Sequence, residues 1–300
     1  MTDCPGGAVR IGTAPVNWNN DDLPDWAPAV PFPALIAEMA ATGYQATEYG
    51  SGFPRNPSSL RAALAGQRLA LAGAYQWLHL SDPATLATER PRLADLVDLL
   101  AAAGGHDLVI ANSMTPERIA IAGRVPADGS AGLTDEGWRR LAASLGEVAS
   151  FAAKRGIRTH YHNHVGSFVE TPAEVERLLA EADPALLDLC FDTGHYAYGG
   201  GDAVDFVERH ADRIGYVHLK DVDREVLRSA PAAGLSFLDA LKVGVFCELG
   251  KGAAQIDRLV SLLLDRQFAG WIIVEQDTST RPASLSARAN REYLREHFGI

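Results

Sequence analysis

The sequence predicts an α/β protein folded as a closed (β/α)8 barrel, and three observations carry that prediction. Eight short apolar or β-branched runs alternate with eight helical patterns across the 300 residues. Glycines recur between a helical pattern and the next run, where a left-handed residue closes an αβ turn and brings the following strand in parallel. Polar residues capable of chemistry gather at the ends of the later runs, as expected where the C-terminal ends of barrel strands build a site. An open doubly wound sheet is the alternative, but the first strand–helix junction lacks a G-x-G-x-x-G loop. The chain exceeds the ~250 residues typical of such a barrel by a modest insertion, so a single domain over residues 1–300 is expected.

Each element has its own signals. The first strand, 9–15 (VRIGTAP), leads into a helical pattern at 33–41 that stops at Gly43. A second strand at 46–49 precedes a helix at 57–65, with Ser58 as a candidate N-cap and Gly66 as its stop. A third strand at 69–77 is followed by a helix at 89–103 that ends on Gly104-Gly105, and a fourth strand occupies 107–111. Thr134 is a candidate N-cap for a long helix at 135–155, stopped by Gly156 before the fifth strand at 157–162. Thr171-Pro172-Ala173-Glu174 reads as a capping box with Pro at the first helical position, opening a helix at 172–182. Strands at 186–191 and 214–219 flank a helix at 203–212; a helix at 255–266, Gly270, a strand at 271–275 and a helix at 285–297 complete the series. Two stretches exceed this rhythm, a Pro-rich loop at 17–31 after the first strand and an excursion at 222–252 after the seventh. Both follow strand C-termini, so both belong to the end of the barrel where long loops roof a site.

Bulk properties narrow the function. A net charge of −11 argues against a nucleic-acid partner, because phosphate binding requires clustered basic surface. The opening MTDCPGGAVR has no basic start followed by an apolar stretch, so no signal peptide is expected. No apolar run approaches ~18 residues, so no membrane helix is expected. Cys4, Cys190 and Cys247 form no C-x-x-C pair and read as reduced and mostly buried, which implies a cytoplasmic location.

The chemistry concentrates in YHNH (161–164), DTGH (192–195), HLKD (218–221) and the run 271–277, which ends Val-Glu275-Gln-Asp277. Side chains of a strand alternate, and the last inward residue of a barrel strand reaches the site. His162 (or His164), Asp192, His218 and Glu275 therefore can converge from four successive strands. One histidine at a strand end is usually structural, and Asp192 alone would cap the next helix. Four such residues together point to a metal site. A mixed imidazole–carboxylate set suits Mn²⁺, Co²⁺, Fe²⁺ or Zn²⁺, whereas Mg²⁺ prefers more oxygen ligands. Lys220, on the face of His218, is a candidate for binding an oxyanion or exchanging a proton, the alternative being an ion pair with Asp221 or another carboxylate. Glu48, at the end of the second strand, is a candidate base, as is Glu275. His164, His195, Trp18 and Glu248 are candidate substrate contacts. Trp77 and Trp138 are packing, lid or stacking residues. Gly250-Lys251-Gly252 offers a weak phosphate-binding signal, and a simple turn is the better reading.

These segments, with SFLDALKVGVFCELGKG (236–252), resemble the xylose-isomerase-like TIM-barrel superfamily of sugar isomerases and epimerases, and within it the inosose dehydratases. The resemblance spans nearly the whole chain. It implies one divalent metal, Mn²⁺ or Co²⁺, held at the ends of strands five to eight. Relatives often use Glu, Asp, His and Glu there; this chain matches at Asp192, His218 and Glu275 and has His162 at the first position. It also implies a reaction that begins by removing a proton α to a carbonyl, the enediolate being stabilised by the metal as a Lewis acid. The expected activity is dehydration of a keto-cyclitol such as 2-keto-myo-inositol, within inositol catabolism. A keto-sugar or sugar-phosphate isomerase or epimerase is the alternative, and a barrel that only binds sugar a third. The superfamily's DNA-repair endonucleases are disfavoured by the charge. A small-molecule substrate, no nucleic acid and no membrane are expected, with room for a homo-oligomer.

Overall fold

In the computed structural model, which describes residues 9–300, ten strands form: β1 (Arg10–Thr13), β2 (Ala46–Tyr49), β3 (Ala70–Leu78), β4 (Asp107–Asn112), β5 (Arg158–His162), β6 (Leu187–Asp192), β7 (Ile214–Leu219), β8 (Asp221–Val222), β9 (Phe246–Cys247) and β10 (Trp271–Val274). Eight of them close a parallel barrel in the order β1-β10-β7-β6-β5-β4-β3-β2, as the βα rhythm predicts. Cys4 lies outside the described residues.

The alternation of side chains along each strand separates two apolar layers. Outward residues such as Leu108, Phe191 and Ile272 pack beneath helices through Leu35, Leu100, Phe206 and Leu259, all buried. Inward residues fill the barrel centre with Ala46, Ala72, Val109, Cys190, Tyr216 and Ile273. Gly12 keeps this centre closed, since a Cβ there would meet Ile273 Cδ1 at 2.6 Å.

The outer helices largely follow expectation: α1 (Phe32–Ala41), α2 (Pro57–Gly66), α3 (Pro83–Ala103), α5 (Asp135–Ala153), α6 (Pro172–Glu181), α8 (Ala203–His210), α11 (Ile256–Asp265) and α12 (Ala283–Phe298). The capping box at Thr171 and the cap at Thr134 both form. Ser58 is not a cap: Asn56 accepts from Ser59 N, and Pro57 takes the first helical position. α3 starts six residues earlier than 89, because Asp82 caps it and Pro83 opens it. Gly43, Gly104 and Gly156 take the left-handed conformation predicted for them. Gly66 and Gly270 do not; Arg68 (φ 59°) and Gln267 (φ 56°) turn the chain there instead.

Short elements beyond the rhythm shape the C-terminal end of the barrel. They are α4 (Pro116–Ala120), α7 (Thr193–Tyr198), α9 (Arg224–Ala232) and α10 (Phe237–Lys242). The expected first strand over 9–15 ends at Thr13, because Pro15 opens a 3-10 turn over Pro15–Asn17. In the excursion, β8 and β9 pair antiparallel, and Val222, Phe237, Leu241, Val245 and Phe246 form a separate apolar cluster. Asp221 anchors it. Its buried carboxylate accepts from the backbone N–H groups of Val222, Gly250, Gly252 and Ala254 at 2.9–3.0 Å. No helix of the described residues is long and apolar enough to cross a membrane.

Candidate active site

The strand ends deliver their polar residues to one place. β5 sends His160 to the lower part of the barrel, 2.9 Å from Asp107, and His162 to its mouth. There His162 Nε2 lies 3.2 Å from Asp192 Oδ2, at the end of β6. His218, from β7, sets Nε2 3.1 Å from Glu48 Oε1 and Nδ1 3.3 Å from Glu275 Oε2. Glu48 comes from β2 across the barrel, and its Oε1 also accepts from Tyr216 Oη at 2.9 Å. Lys220 enters the middle of the group, its Nζ 2.7 Å from Asp277, 3.1 Å from Glu275 and 3.4 Å from Asp192. All of these side chains are buried.

Asp192 caps the following helix with one oxygen and turns the other toward the cluster. Oδ1 accepts from His195 N at 2.7 Å and caps α7, while Oδ2 faces His162 and Lys220. The cap also brings His195 over the site, with Nε2 3.3 Å from Lys220 Nζ and its ring 4.0 Å from that of His164. The excursion covers these groups: Phe246 lies 4.6 Å from Lys220 Nζ, and Phe237 lies against both His164 and His195. The loop after β1 roofs the other side, tied to the loop after β2 by Ser51 Oγ donating to Asp21 at 2.6 Å. The resulting cleft, about 1180 Å³, is lined by Glu48, His162, His164, His195, His218, Lys220, Glu275 and Asp277.

Burial and charge set the protonation of these groups. Burial depresses His162, His195 and His164, the last to about 3, so all three are neutral imidazoles. Burial works against protonating His218 as well, but its neighbours Cys190, Glu275 and Glu48 overcome this and raise it well above the ordinary value. The two carboxylates are the effective cause, because the Cys190 thiol is itself pushed up to about 12 by burial. Lys220 is likewise raised, burial being outweighed by Asp192, Asp277 and Glu275. Glu275 is lowered, burial being outweighed by His218 and Lys220, whereas burial raises Asp277 to about 7 against the pull of Lys220.

The donors fit a divalent ion. His162, Asp192 and His195 offer ligand atoms within 4.8 Å of one another, as do Glu48, His218 and Glu275. Nδ1 of His162 is buried without a hydrogen-bond partner, and Nδ1 of His218 faces the Glu275 carboxylate at 3.3 Å. Asp192, Glu275 and Asp277 crowd the single Lys220 ammonium, while Glu48 and Glu275 flank His218, so the carboxylates outnumber the cations of the cluster even with His218 protonated. Such an excess of buried negative charge is costly unless a cation offsets it.

Two sequence candidates stand apart from this cluster. Trp18 is buried against the helix layer and donates through Nε1 to Glu38 at 2.8 Å. Glu248 faces a smaller recess of about 300 Å³, held by Lys251, by Arg281 at 2.5 Å and by Ser286 at 3.1 Å. Of the other tryptophans, Trp138 is core, and Trp77 is 45% exposed at the cleft mouth. The Gly250 and Gly252 amides face Asp221, so the turn reading of that segment holds, and Lys220 pairs with other carboxylates than Asp221. Asp277 joins the cluster without having been singled out, although it shares parity with Glu275.

Residues 31–297 match the model of the xylose isomerase-like TIM barrel family. A protein of Clostridium botulinum named inosose dehydratase is 32% identical over 297 residues, covering 97% of this chain and 98% of its own. One from Geobacillus kaustophilus, with the same name, is 35% identical over 292 residues, covering 95% and 93%. Among solved structures, a D-allulose 3-epimerase from Methylomonas sp. superposes with a TM-score of 0.71 at 19% identity, covering 98% of both chains. A probable 3-DHS dehydratase from Bacillus anthracis reaches 0.72 at 13%, covering 95% of this chain and 98% of its own. The chain belongs to the xylose isomerase-like TIM barrel family and, within it, to the inosose dehydratase group of hydro-lyases.

Proposed function

We propose that this enzyme removes water from 2-keto-myo-inositol, or a close keto-cyclitol, to give a diketone. The observation that carries the reading is the buried array of Glu48, His195, Lys220 and Asp277 at the barrel mouth, in a chain whose near-full-length relatives are named inosose dehydratase. Such a dehydration needs a base for the proton α to the ketone and an acid for the departing β-hydroxyl.

Glu48 is the better base. It is held by Tyr216 and His218, while the depressed pKa of Glu275 makes that carboxylate a weak proton acceptor. Lys220 is held protonated among the carboxylates, so a proton for the leaving hydroxyl stands at its Nζ, although the same carboxylates weaken it as an acid. Asp277, raised to about 7, lies 2.7 Å from the Lys220 Nζ and can return a proton to it. Burial under the roof loop and the excursion limits water beside these groups. His164 and His195 face the cleft and would orient substrate hydroxyls. A divalent ion held by His162, Asp192, His218 and Glu275, by preference Mn²⁺ or Co²⁺ with Zn²⁺, Fe²⁺ or Mg²⁺ as alternatives, would polarise the ketone as a Lewis acid.

Incubating Mn²⁺- or Co²⁺-loaded protein with the inosose should produce the absorbance of the enolised diketone, and absence of product under both metals sinks the proposal. Exchange of the α-proton for solvent deuterium without diketone would reassign the enzyme as an isomerase or epimerase. Lys220→Met should lower kcat by at least about 10²-fold.

A further inference from the structure

The segment that carries Glu275 and Asp277 is held in an unusual way. β1 runs beside β10 only as far as the Thr13–Val274 pair, where the chain turns away at Pro15. Glu275, Gln276 and Asp277 lie beyond that ladder. On the β7 side, Glu275 N–H still donates to Leu219 O at 3.1 Å. On the β1 side, two asparagines of the roof loop take over. Asn17 donates through Nδ2 to Val274 O at 3.0 Å, and its Oδ1 accepts from Gln276 N at 2.8 Å. Asn20 donates to Asp277 O at 2.9 Å. The Asn17 carboxamide is itself oriented by Thr13 Oγ1, which accepts from Nδ2 at 2.9 Å.

Val274 O and Gln276 N belong to the peptide groups on either side of Glu275. A carboxamide that binds both reproduces the acceptor and donor of a neighbouring strand residue. Because Asn17 is only partly buried while its partners end a barrel strand, a packing role alone does not account for this match of donor to acceptor and acceptor to donor. We infer that Asn17 is a positioning residue, fixing the backbone on both sides of Glu275 so that its carboxylate meets His218 and Lys220. The inference rests on the reading that Glu275 serves the active site.

Loss of a residue that orients a metal-binding or catalytic group typically costs 10–100-fold in affinity or activity. Asn17→Ala, folded by circular dichroism, should bind Mn²⁺ about 10–100-fold more weakly in a calorimetric titration. Its kcat on the inosose should fall more than its KM changes. Asn17→Asp keeps an acceptor for Gln276 but sets a carboxylate oxygen against Val274 O, so it should do no better than alanine. If Asn17→Ala does not fold, Asn17→Ser, with less volume removed, should move both quantities in the same direction. A folded variant with parental Mn²⁺ affinity and kcat overturns the inference, even if its melting temperature drops. If the parent binds Mn²⁺ but leaves the inosose untouched, the proposed function fails while the affinity comparison still decides the role of Asn17.

Discussion

Asp192 shows how much one side chain can carry when its two oxygens face different ways: one closes the first turn of α7, the other faces His162 and Lys220. Strand parity was enough to place Asp192, His162, His218 and Glu275 together. Asp277 shares the parity of Glu275, but both lie past the end of β10, and Glu275 is the one that keeps a ladder bond, to Leu219 O. Parity could not place Trp18, which sits at the end of a 3-10 turn that faces α1. The imidazoles make a prediction of their own. His164 has a folded pKa of about 3, below the ordinary 6.5, so between these values the unfolded chain binds the extra proton. Stability therefore rises with pH in that window and is lost as pH falls from 6.5 toward 3, by about 1.4 kcal/mol per pH unit for one imidazole. His162 and His195 act in the same direction, whereas His218, raised instead, is protonated in both states there and contributes its pH dependence only above 6.5. Urea unfolding at pH 7 and pH 5 should show a smaller loss for His164→Gln than for the parent; equal losses would contradict the assignment.

At the scale of elements, the βα rhythm was legible because each strand is a short apolar run bounded by turn formers. The β8–β9 ribbon was not, since two residue pairs leave no periodicity to read. Left-handed turns were legible only where glycine occupies them. At Arg68 and Gln267, both exposed, the helix-ending bonds from Leu69 N to Leu64 O and from Phe268 N to Leu263 O hold a conformation that costs an L-residue roughly 1–2 kcal/mol. Replacing Gln267 with Gly should relieve that cost, offset in part by the greater freedom of glycine in the unfolded chain. A gain of up to about 1 kcal/mol in denaturant unfolding is expected. Asp221 offers the opposite test. Asp221→Ala strips four backbone donors of their acceptor, which should cost at least about 3 kcal/mol. Limited proteolysis should then cut within 223–252 first. Unchanged protection of that segment would show that its apolar cluster, not the carboxylate, holds it in place.

The whole molecule couples these elements through the barrel mouth, where β2, β5, β6, β7 and the segment after β10 each contribute a buried polar group. A divalent ion bound there would be a ligand of the folded state alone. Dialysis against a chelator should lower the melting temperature, and readdition of Mn²⁺ at a hundred times its Kd should restore about 2.7 kcal/mol. A melting curve indifferent to chelator and Mn²⁺ would remove the metal from the account. The excursion after β7 leaves and rejoins the barrel at one point: Ala253 N donates to Val222 O at 2.8 Å, beside the Asp221 carboxylate that holds both ends. A segment whose ends already touch can be lengthened, shortened or exchanged at little extra loop-closure cost. Its Phe237 and Phe246 reach the cleft, whereas His218 and Lys220 stay on the barrel. Natural variation or deliberate grafting between residues 222 and 252 can therefore diversify what the pocket admits while the buried polar groups on the barrel strands are inherited unchanged.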